Sequence, residues 1–329
     1  MFHFKMPLRI LAAVLCLTLL AGGAALADPV RVAIVQTLTH TSLNQIRDTI
    51  IQELEASGTE YEIITRNAEG DSTALSTILE NVKMDGVDIL VPIATNTAQS
   101  AKVVFEDSGV PVVFAAVSDP VAAGLTGDDC GFITGVSNNI PAAQIVGLIS
   151  DFQPDYKLIG FLYTSSETNS VSTINAAKAY CDGQGIAYEE VSIANLSELQ
   201  TAVETLISRK VDALYTGNDN SIASAMSTYI DTAYEYGIPV YCGADSMVAD
   251  GGFATIGVDY VQLGRQVAAI VDRIAAGERP EDIPYETLSE YARFVNLQAA
   301  DRIGMTISDE ILSAYTVLVE ADGTNHFGE

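Results

Sequence analysis

This chain contains no tryptophan and few basic residues: 16 Lys and Arg stand against 43 Asp and Glu, which gives a formal net charge of -27. So acidic a surface would repel a phosphate backbone, and the composition therefore excludes nucleic-acid binding. Of its 329 residues, 48% are apolar and 18% are charged, which excludes wholesale disorder, a coiled coil and a small disulfide-held fold. The length suits one large core or two domains of ordinary size.

Cysteine is also scarce. One of the four, Cys16, lies in an apolar run near the N-terminus, which leaves Cys130, Cys181 and Cys242 at wide spacings. Because no C-x-x-C pair occurs, the sequence predicts neither a zinc site nor a redox dithiol. At least one of the three thiols is free in a monomer, and we expect all three to be small buried residues. Whether two of them pair stays open.

Motifs of catalysis are missing as well. The chain has no G-x-S-x-G elbow, no G-x-x-x-x-G-K-[ST] loop and no H-E-x-x-H helix. After residue 27 histidine occurs only as His40 and His326, so a Ser-His-Asp triad would depend on His40 alone. Two isolated histidines also make a poor metal site. The sequence therefore predicts no enzymatic activity, no metal and no cofactor, with a secreted hydrolase as the enzyme alternative.

The first 27 residues have the layout of a secretory signal peptide. Lys5 and Arg9 form a basic start, residues 10–20 form an unbroken apolar run, and small residues at 21–27 end in an A-x-A pattern before Asp28. We expect cleavage after residue 27 and a periplasmic mature chain that does not insert into the membrane. The alternative is an uncleaved anchor, because the uncharged stretch is long enough to span a bilayer.

Beyond the leader, short apolar or β-branched runs alternate with segments of helical periodicity. The predicted strands are 30–35, 61–64, 87–91, 110–114, 133–136, 158–163, 186–191, 211–215, 238–241 and 293–296. The predicted helices are 43–56, 73–82, 97–105, 170–181, 196–208, 221–236 and 260–276. Such alternation is typical of parallel sheets with helices on both faces, and its restart near residue 158 predicts two lobes.

The two predicted lobes echo each other in sequence. Val87–Val91 matches Val211–Tyr215, and the Gly-Val-Pro-Val of 109–112 parallels the Gly-Ile-Pro-Val of 237–240. The alternative, that any two β-α-β units look alike, stays open. We predict an N-terminal lobe at 28–138 with a returning segment near 258–290, and a C-terminal lobe at 139–257 with the tail 291–329.

Polar residues follow the predicted strands at their carboxyl ends, where open α/β sheets bind ligands. They are Thr37, Thr39, His40, Thr95, Asn96, Thr97, Ser118 and Asp119 in the first half, and 164–170, 218–221, Asp245 and Ser246 in the second. Helix capping is the alternative role for Thr97, Asn169 and Ser221. The two roles are compatible, because free amides at a helix N-terminus also receive a carboxylate.

Three acidic residues at these strand ends, Asp119, Asp219 and Asp245, have few Lys or Arg near them in sequence. A carboxylate in a cleft needs a cationic partner, and a ligand ammonium would supply one. Asp119 has a second possible role as a turn former before Pro120. Donors for a carboxylate together with acceptors for an ammonium indicate an amino acid. The candidate apolar walls, with core packing as the alternative, are Tyr163, Tyr215 and Tyr241.

Seven stretches carry a resemblance to a known family: THTSL at 39–43, IATNTAQ at 93–99, PVVFAAVSDPV at 111–121, TGVS at 134–137, ETNS at 167–170, DN at 219–220 and GVDY at 257–260. In these stretches the chain resembles the substrate-binding proteins of ABC importers, in the branch associated with tryptophan and tyrosine uptake. The resemblance implies the type I periplasmic-binding fold, an α/β fold of two Rossmann-like lobes with parallel sheets and a hinge. It also implies that the lobes close on a ligand held between them.

The ligand contacts that the resemblance implies are Thr39, His40, Thr95, Asn96, Thr97, Ser118, Asp119, Asn169, Ser170, Asp219 and Asn220. Ser137 and Asp245 are further candidates. We expect Asp219 to bind the ligand ammonium, and Thr97 with Asn169 and Ser170 to bind its carboxylate. The chain departs from the family at Asn138, where similar proteins carry Asp after the Gly-Val-Ser block, and the lost charge leaves ligand identity open.

The sequence thus predicts a non-enzymatic, monomeric receptor of an ABC importer, which captures an amino acid and presents it to a membrane permease. An aromatic amino acid is favoured. The alternatives are a nucleoside or an aliphatic amino acid in the same receptor role, and a sensor ectodomain.

Overall fold

A computed structural model describes residues 28–327 of the chain. The predicted signal peptide and Cys16 lie outside the described residues. Within residues 28–327 no helix is both long enough and apolar enough to cross a membrane. The thiols of Cys130, Cys181 and Cys242 are free, and all three are buried as expected.

The first half of the chain alternates strands and helices. In chain order its elements are β1 (Val30–Gln36), α1 (Thr41–Ala56), β2 (Tyr61–Asn67), α2 (Ser72–Met84), β3 (Ile89–Ile93), α3 (Thr95–Phe105), β4 (Val112–Ala115) and β5 (Ile133–Ser137). A 3₁₀ turn, Asp128–Cys130, precedes β5. Every residue of β3, β4 and β5 is buried, as in strands covered by helices on both faces.

The second half repeats the alternation and then returns. Its elements up to the last buried strand are α4 (Ala142–Phe152), β6 (Leu158–Thr164), α5 (Thr168–Gln184), β7 (Ala187–Ile193), α6 (Leu199–Ser208), β8 (Ala213–Thr216), α7 (Asn220–Ala223), α8 (Met226–Tyr234), β9 (Val240–Cys242), α9 (Asp245–Ala249) and β10 (Ala254–Val258). The returning elements are α10 (Tyr260–Ala275), β11 (Glu286–Thr287), β12 (Tyr291–Asn296), α11 (Leu297–Ile303), α12 (Asp309–Leu312) and β13 (Thr316–Val319).

Two sheets result. The first has the order β11-β5-β4-β3-β1-β2 with parallel pairs, for example Val32 opposite Ile89. The second has the order β13-β12-β10-β9-β8-β6-β7 and is parallel except for the antiparallel pair β10–β12. This is the expected α/β fold class, two parallel-rich sheets with helices.

The chain passes between the sheets after β5, after β10 and after β11. Helix α10 follows β10 of the second sheet but packs against α1 and against strands of the first. Gly264 permits the close approach of the two helices, because a Cβ there would lie 2.7 Å from Thr49 Cβ and 3.1 Å from Ile46 O. These passages connect the two halves; the exact lobe boundaries stay a prediction.

Some elements differ from the sequence expectation. The single helix predicted at 221–236 is two helices, α7 and α8, which are separated at Ser224–Ala225. The predicted helix at 196–208 begins as a 3₁₀ turn, Leu196–Glu198, and continues as α6. Helix α4 (Ala142–Phe152) was missed although its buried residues, Ile145, Val146, Leu148 and Ile149, recur at helical spacing.

Candidate functional site

Two non-glycine residues shape the backbone where the first sheet meets the second half. Ala94 (φ 74°) follows β3 and Ala116 (φ 57°) follows β4, and both lie in the left-handed region. Such a conformation costs about 1–3 kcal/mol and concentrates at functional sites. It turns the chain so that Thr95 begins α3 and Ser118 reaches the space between the halves.

A narrow cavity lies between the two halves. From the first half it is lined by His40, Ser42, Leu43, Ala116, Ser118 and Asn138, together with Tyr260 of α10. From the second half it is lined by Asn169, Asn218, Asp219, Asn220, Ala223, Ala244 and Met247. The free space in it is small, about 20 Å³, which is room for about one water molecule.

Seven buried side-chain atoms within residues 28–327 have no hydrogen-bond partner of ordinary geometry, and five of them belong to residues that the sequence proposed as ligand contacts. These five are His40 Nδ1, Thr95 Oγ1, Thr97 Oγ1, Asn169 Oδ1 and Ser170 Oγ. Buried polar groups of folded proteins are nearly always paired, so each exception needs an explanation. A polar ligand between the halves would supply the missing partners.

Helices α3 and α5 contact each other. Neither N-cap residue, Ala94 for α3 or Glu167 for α5, caps its own helix through its side chain within the described part of the chain. Thr168 Oγ1 donates to Gln99 Oε1 at 3.3 Å and joins the two helices. Two helix N-termini with free amides and unpartnered hydroxyls form a site that favours an anion.

Asp219 follows β8, is 1% exposed and caps α7. Its Oδ1 accepts from Thr164 Oγ1 and Ile222 N, both at 2.9 Å, and its Oδ2 accepts from Thr164 N at 2.6 Å. Burial, and then the nearby Glu167 carboxylate, raise the pKa of Asp219 to about 7 despite these bonds and the neighbouring Ser170 hydroxyl. The raised pKa indicates a buried carboxylate that lacks a cation.

Glu167 is a second buried carboxylate beside Asp219, at 2% exposure. Its Oε1 accepts from Ser221 N at 2.8 Å and Ser221 Oγ at 2.7 Å. Its Oε2 accepts from Asn220 N at 2.9 Å, Asn220 Nδ2 at 2.8 Å and Asn169 Nδ2 at 3.3 Å. Five donors converge on its two oxygens, so both oxygens act as acceptors. Among residues 28–327 no Lys or Arg side chain lines the cavity beside these two acids.

His40 contributes a neutral ring from the first half. Burial lowers the pKa of His40 below its ordinary value, and this outweighs the opposing effects of its bond to Asn220 and of the Glu167 charge. The Nε2 atom lies 3.2 Å from Asn220 Oδ1, across the space between the halves. A neutral imidazole offers one donor and one acceptor to its surroundings.

Further hydrogen bonds join the halves around the cavity. Ser42 Oγ lies 2.6 Å from Ser246 Oγ, and Tyr260 OH donates to Asn218 Oδ1 at 3.3 Å. The Ser172 hydroxyl donates to Asp119 Oδ2. Together with the bonds of His40 and Thr168, these contacts hold the two halves in a closed arrangement.

The structure separates the candidate ligand contacts into groups. His40, Ser118, Asn169, Asp219 and Asn220 line the cavity, while Thr95, Thr97 and Ser170 are buried in the first turns of α3 and α5. Ser137 is buried, but its hydroxyl donates to Ser118 O at 3.3 Å and accepts from Asn139 N at 3.2 Å. Asn96 lines a second, outer cavity between the halves, with Ser166 and Ser221.

Three candidates lie away from the cavity. Thr39 is exposed and pairs with Asn67 and Glu69 at the end of β2. Asp119 accepts from Ala122 N in its own turn, as the turn-former alternative requires, and also from Ser172. Asp245 faces a different cavity beside Asp259, where burial raises the pKa of Asp245 to about 6.

The expected apolar walls are also different. Tyr215 and Tyr241 are fully buried in the core, at 1% and 0% exposure, and Tyr163 donates to Glu190. None of the three lines the cavity, so their assignment as its walls is wrong, and the core-packing alternative holds for Tyr215 and Tyr241. The apolar lining comes instead from Leu43, Ala116, Ala223, Ala244, Met247 and Tyr260.

Sequence reasoning also missed polar residues of the site. Glu167 looked like one more residue of a polar loop, and no strand-end rule singled it out. Asn218 was noted only as part of a polar run, and Ser42 lies inside α1. Within residues 28–327 no group of three or more His, Cys, Asp or Glu side chains could hold a metal ion.

Comparisons with known proteins agree with this architecture. The family of ABC transporter substrate binding proteins matches residues 31–318. A Streptococcus pneumonia structure in complex with L-Trp is 32% identical, with a TM-score of 0.83 over 88% of this chain and 99% of that one. A tyrosine-binding protein of Clostridioides difficile is 29% identical over 80% of this chain and 78% of that protein.

A third relative bears on the closed arrangement. A ligand-free, open substrate-binding protein of Clostridium difficile is 29% identical over 87% of this chain and 98% of that one, and its TM-score is 0.67. The L-Trp complex, of similar identity, superposes better, which agrees with the hydrogen bonds that join the halves. The family match over residues 31–318 and the shared two-sheet fold lead to one conclusion: the chain belongs to the family of ABC transporter substrate-binding proteins.

Proposed function

We propose that this protein is the receptor of an ABC importer for an aromatic amino acid, which it binds in the cavity between the two halves. The observation that carries the proposal is the unpaired polarity of that cavity. Two buried acids, Glu167 and Asp219, lie beside it, and within the described residues no Lys or Arg side chain lines it. Buried hydroxyls close by lack partners of their own.

The charge balance favours a ligand that brings a cation. A buried carboxylate without a cation is costly, and the raised pKa of Asp219 reflects that cost. Asp219 Oδ2 accepts one hydrogen bond, from Thr164 N, and retains capacity for another. An α-ammonium at Oδ2 would pair the charge, which agrees with the role that the sequence predicts for Asp219.

The same ligand needs an anion at its other end. The first turns of α3 and α5 offer free backbone amides and the hydroxyls of Thr95 and Thr97. An α-carboxylate there would be stabilised by helix dipoles and by hydrogen-bond donors. Nucleosides lack this combination of ammonium and carboxylate.

The lining of the cavity supports an aromatic side chain. Leu43 provides a branched aliphatic group, Met247 a polarisable thioether and Tyr260 a flat aromatic face. Rings pack well against such surfaces. The relatives agree with this choice, since one is described as tyrosine-binding and one was solved with L-Trp.

In this proposal the mature chain begins at Asp28, acts as a periplasmic monomer and performs no chemistry on its ligand. The lobes close on the amino acid by a hinge at the passages between the sheets, and the closed form is presented to the membrane permease. The second half contributes Asp219 and Asn169, whereas the first contributes His40 and the start of α3. Closure of the halves thus adds contacts to the ligand from both of them.

A titration of stripped protein tests the proposal. The protein is unfolded, refolded to remove carried ligand, and screened by thermal shift and calorimetry against the twenty amino acids and common nucleosides. At about 100 times its dissociation constant, a ligand adds roughly 2.7 kcal/mol of stability, or a few degrees. Shifts confined to Trp, Tyr or Phe support the proposal. Shifts with nucleosides or aliphatic amino acids alone would overturn the aromatic assignment.

A further inference from the structure

We propose that Glu167 organises the cavity to recognise a primary ammonium group. It fixes the orientation of two asparagine amides, and each of the two hydrogen-bonded chains that start at Glu167 then ends in a free acceptor. The inference rests on the proposed amino-acid function and extends it. It assigns roles to Glu167, to His40 Nδ1 and to Asn169 Oδ1, and it predicts that the receptor rejects N-methylated amino acids.

The first chain runs from Glu167 through Asn220 to His40. Asn220 Nδ2 donates to Glu167 Oε2 at 2.8 Å, so its amide cannot be flipped without placing an oxygen against the carboxylate. Asn220 Oδ1 therefore faces His40 Nε2, at 3.2 Å, and can only accept. His40 must carry its proton on Nε2. Its Nδ1, buried and without a partner in the described part of the chain, is then an acceptor.

The second chain is shorter. Asn169 Nδ2 lies 2.5 Å from the backbone carbonyl oxygen of Asn218 and 3.3 Å from Glu167 Oε2, and both of these atoms only accept. Both protons of the Asn169 amide are thereby used. Its Oδ1, on a residue that is 3% exposed, is left as a buried acceptor with no partner among residues 28–327.

These assignments change the expected role of one residue. Asn169 was expected to bind the ligand carboxylate, but its side chain has no free donor to offer. Together with Asp219 Oδ2, His40 Nδ1 and Asn169 Oδ1 make three acceptors with hydrogen-bonding capacity left on residues that line the cavity. A primary ammonium has three N–H donors, and three acceptors match that number. A secondary amine has one donor fewer and an added methyl group.

This arrangement of acceptors depends on closure of the two halves. His40 belongs to the first half, whereas Glu167, Asn220 and Asn169 belong to the second. The tautomer of His40 is therefore selected only when the halves meet and Asn220 Oδ1 reaches Nε2. Glu167 acts through the two asparagines and is a positioning residue.

The test compares ligands first and variants second. Calorimetry on the purified protein compares the affinities of L-tyrosine and L-tryptophan with those of their N-methyl derivatives. We expect N-methylation to weaken binding by about tenfold or more, because one buried acceptor then stays unpaired. In Glu167→Gln the two asparagine amides lose their fixed orientation, so the preference for the primary amine should fall to about threefold or less. The matched control is Glu198→Gln, since Glu198 also accepts from a backbone amide (Ala194 N) and from an asparagine side chain (Asn195), but on the exposed surface.

A spectroscopic measurement determines the tautomer of His40 directly and needs no variant. Only three histidines occur in the chain, so ¹⁵N-labelled imidazoles are readily assigned. With L-tyrosine bound, His40 should show the Nε2–H tautomer. An Nδ1–H tautomer, or N-methyl derivatives that bind the unaltered protein within threefold of the parent amino acids, would overturn the inference and leave the receptor function intact. Failure of both parent amino acids to bind would refute the proposed function itself.

Discussion

Asp219→Asn is the substitution that most sharply separates a ligand role from a structural one. Asp219 does both things in the structure, because it caps α7 and lines the cavity. An asparagine keeps the size of the side chain and one oxygen, which can still accept from Ile222 N and Thr164 Oγ1. Its amide nitrogen would face Thr164 N, where the carboxylate Oδ2 now accepts at 2.6 Å. The variant therefore loses one internal hydrogen bond and one buried charge.

The two losses act differently on stability and on binding. One internal hydrogen bond is worth about 0.5–1.5 kcal/mol, and removing a buried charge beside Glu167 offsets part of this. We therefore expect the melting temperature of the ligand-free protein to change by only a few degrees. Removing one partner of a buried charge pair costs about 2–5 kcal/mol in affinity, which is a weakening of roughly 30-fold or more.

The assay is calorimetry with the aromatic amino acid that binds the unaltered protein most tightly, together with thermal melting without ligand. The matched control is Asp71→Asn, since Asp71 caps α2 by accepting from Thr73 N at 2.7 Å and Ala74 N at 3.0 Å, on the exposed surface. Asparagine is also a good N-cap, and its one oxygen can accept both bonds, so the control should keep its melting temperature as well as its affinity. A folded Asp219→Asn protein that binds within threefold of the original would refute the ammonium assignment.

Two further predictions follow from the same site. Binding an ammonium requires the charged form of Asp219, whose pKa is raised to about 7. The dissociation constant should therefore rise by about tenfold per pH unit below pH 7 and level off above it. A constant affinity from pH 5 to 8 would contradict this. Thr97→Val should leave stability unchanged, since the Thr97 hydroxyl has no partner within the described residues, and should weaken binding about fivefold or more by calorimetry. Thr77→Val, on the exposed face of α2, is its control, and equal affinities of the two variants would count against the carboxylate site.

More of the fold than of the candidate site could be predicted from the sequence. Alternating apolar runs and helical segments predict two parallel sheets, because strands buried on both faces must be apolar throughout, as β3 is. The rule that ligands bind at strand ends selected His40, Asn169 and Asp219, which line the cavity. The same rule also selected Asp245, which follows β9 just as Asp219 follows β8, yet faces another cavity.

The difference lies in what a strand end specifies. It places a residue at the edge of a sheet, but the turn that follows decides on which side of that edge the residue lies. After β9 the turn directs Ala244 and Met247 to the cavity and Asp245 away from it. Glu167 and Tyr260 were missed for a related reason, because their partners come from distant segments: Asn220 lies 53 residues from Glu167, and Asn218 lies 42 from Tyr260.

The central claim is that the cavity between the halves binds an aromatic amino acid through both of its charged groups. Calorimetric titration of stripped protein with L-tyrosine and L-tryptophan tests this most directly. We expect at least one of them to bind with micromolar or tighter affinity, about -8 kcal/mol, as a few charge-assisted hydrogen bonds and one buried ring can supply. No heat of binding with either amino acid, while a nucleoside or an aliphatic amino acid binds the same preparation, would contradict the account.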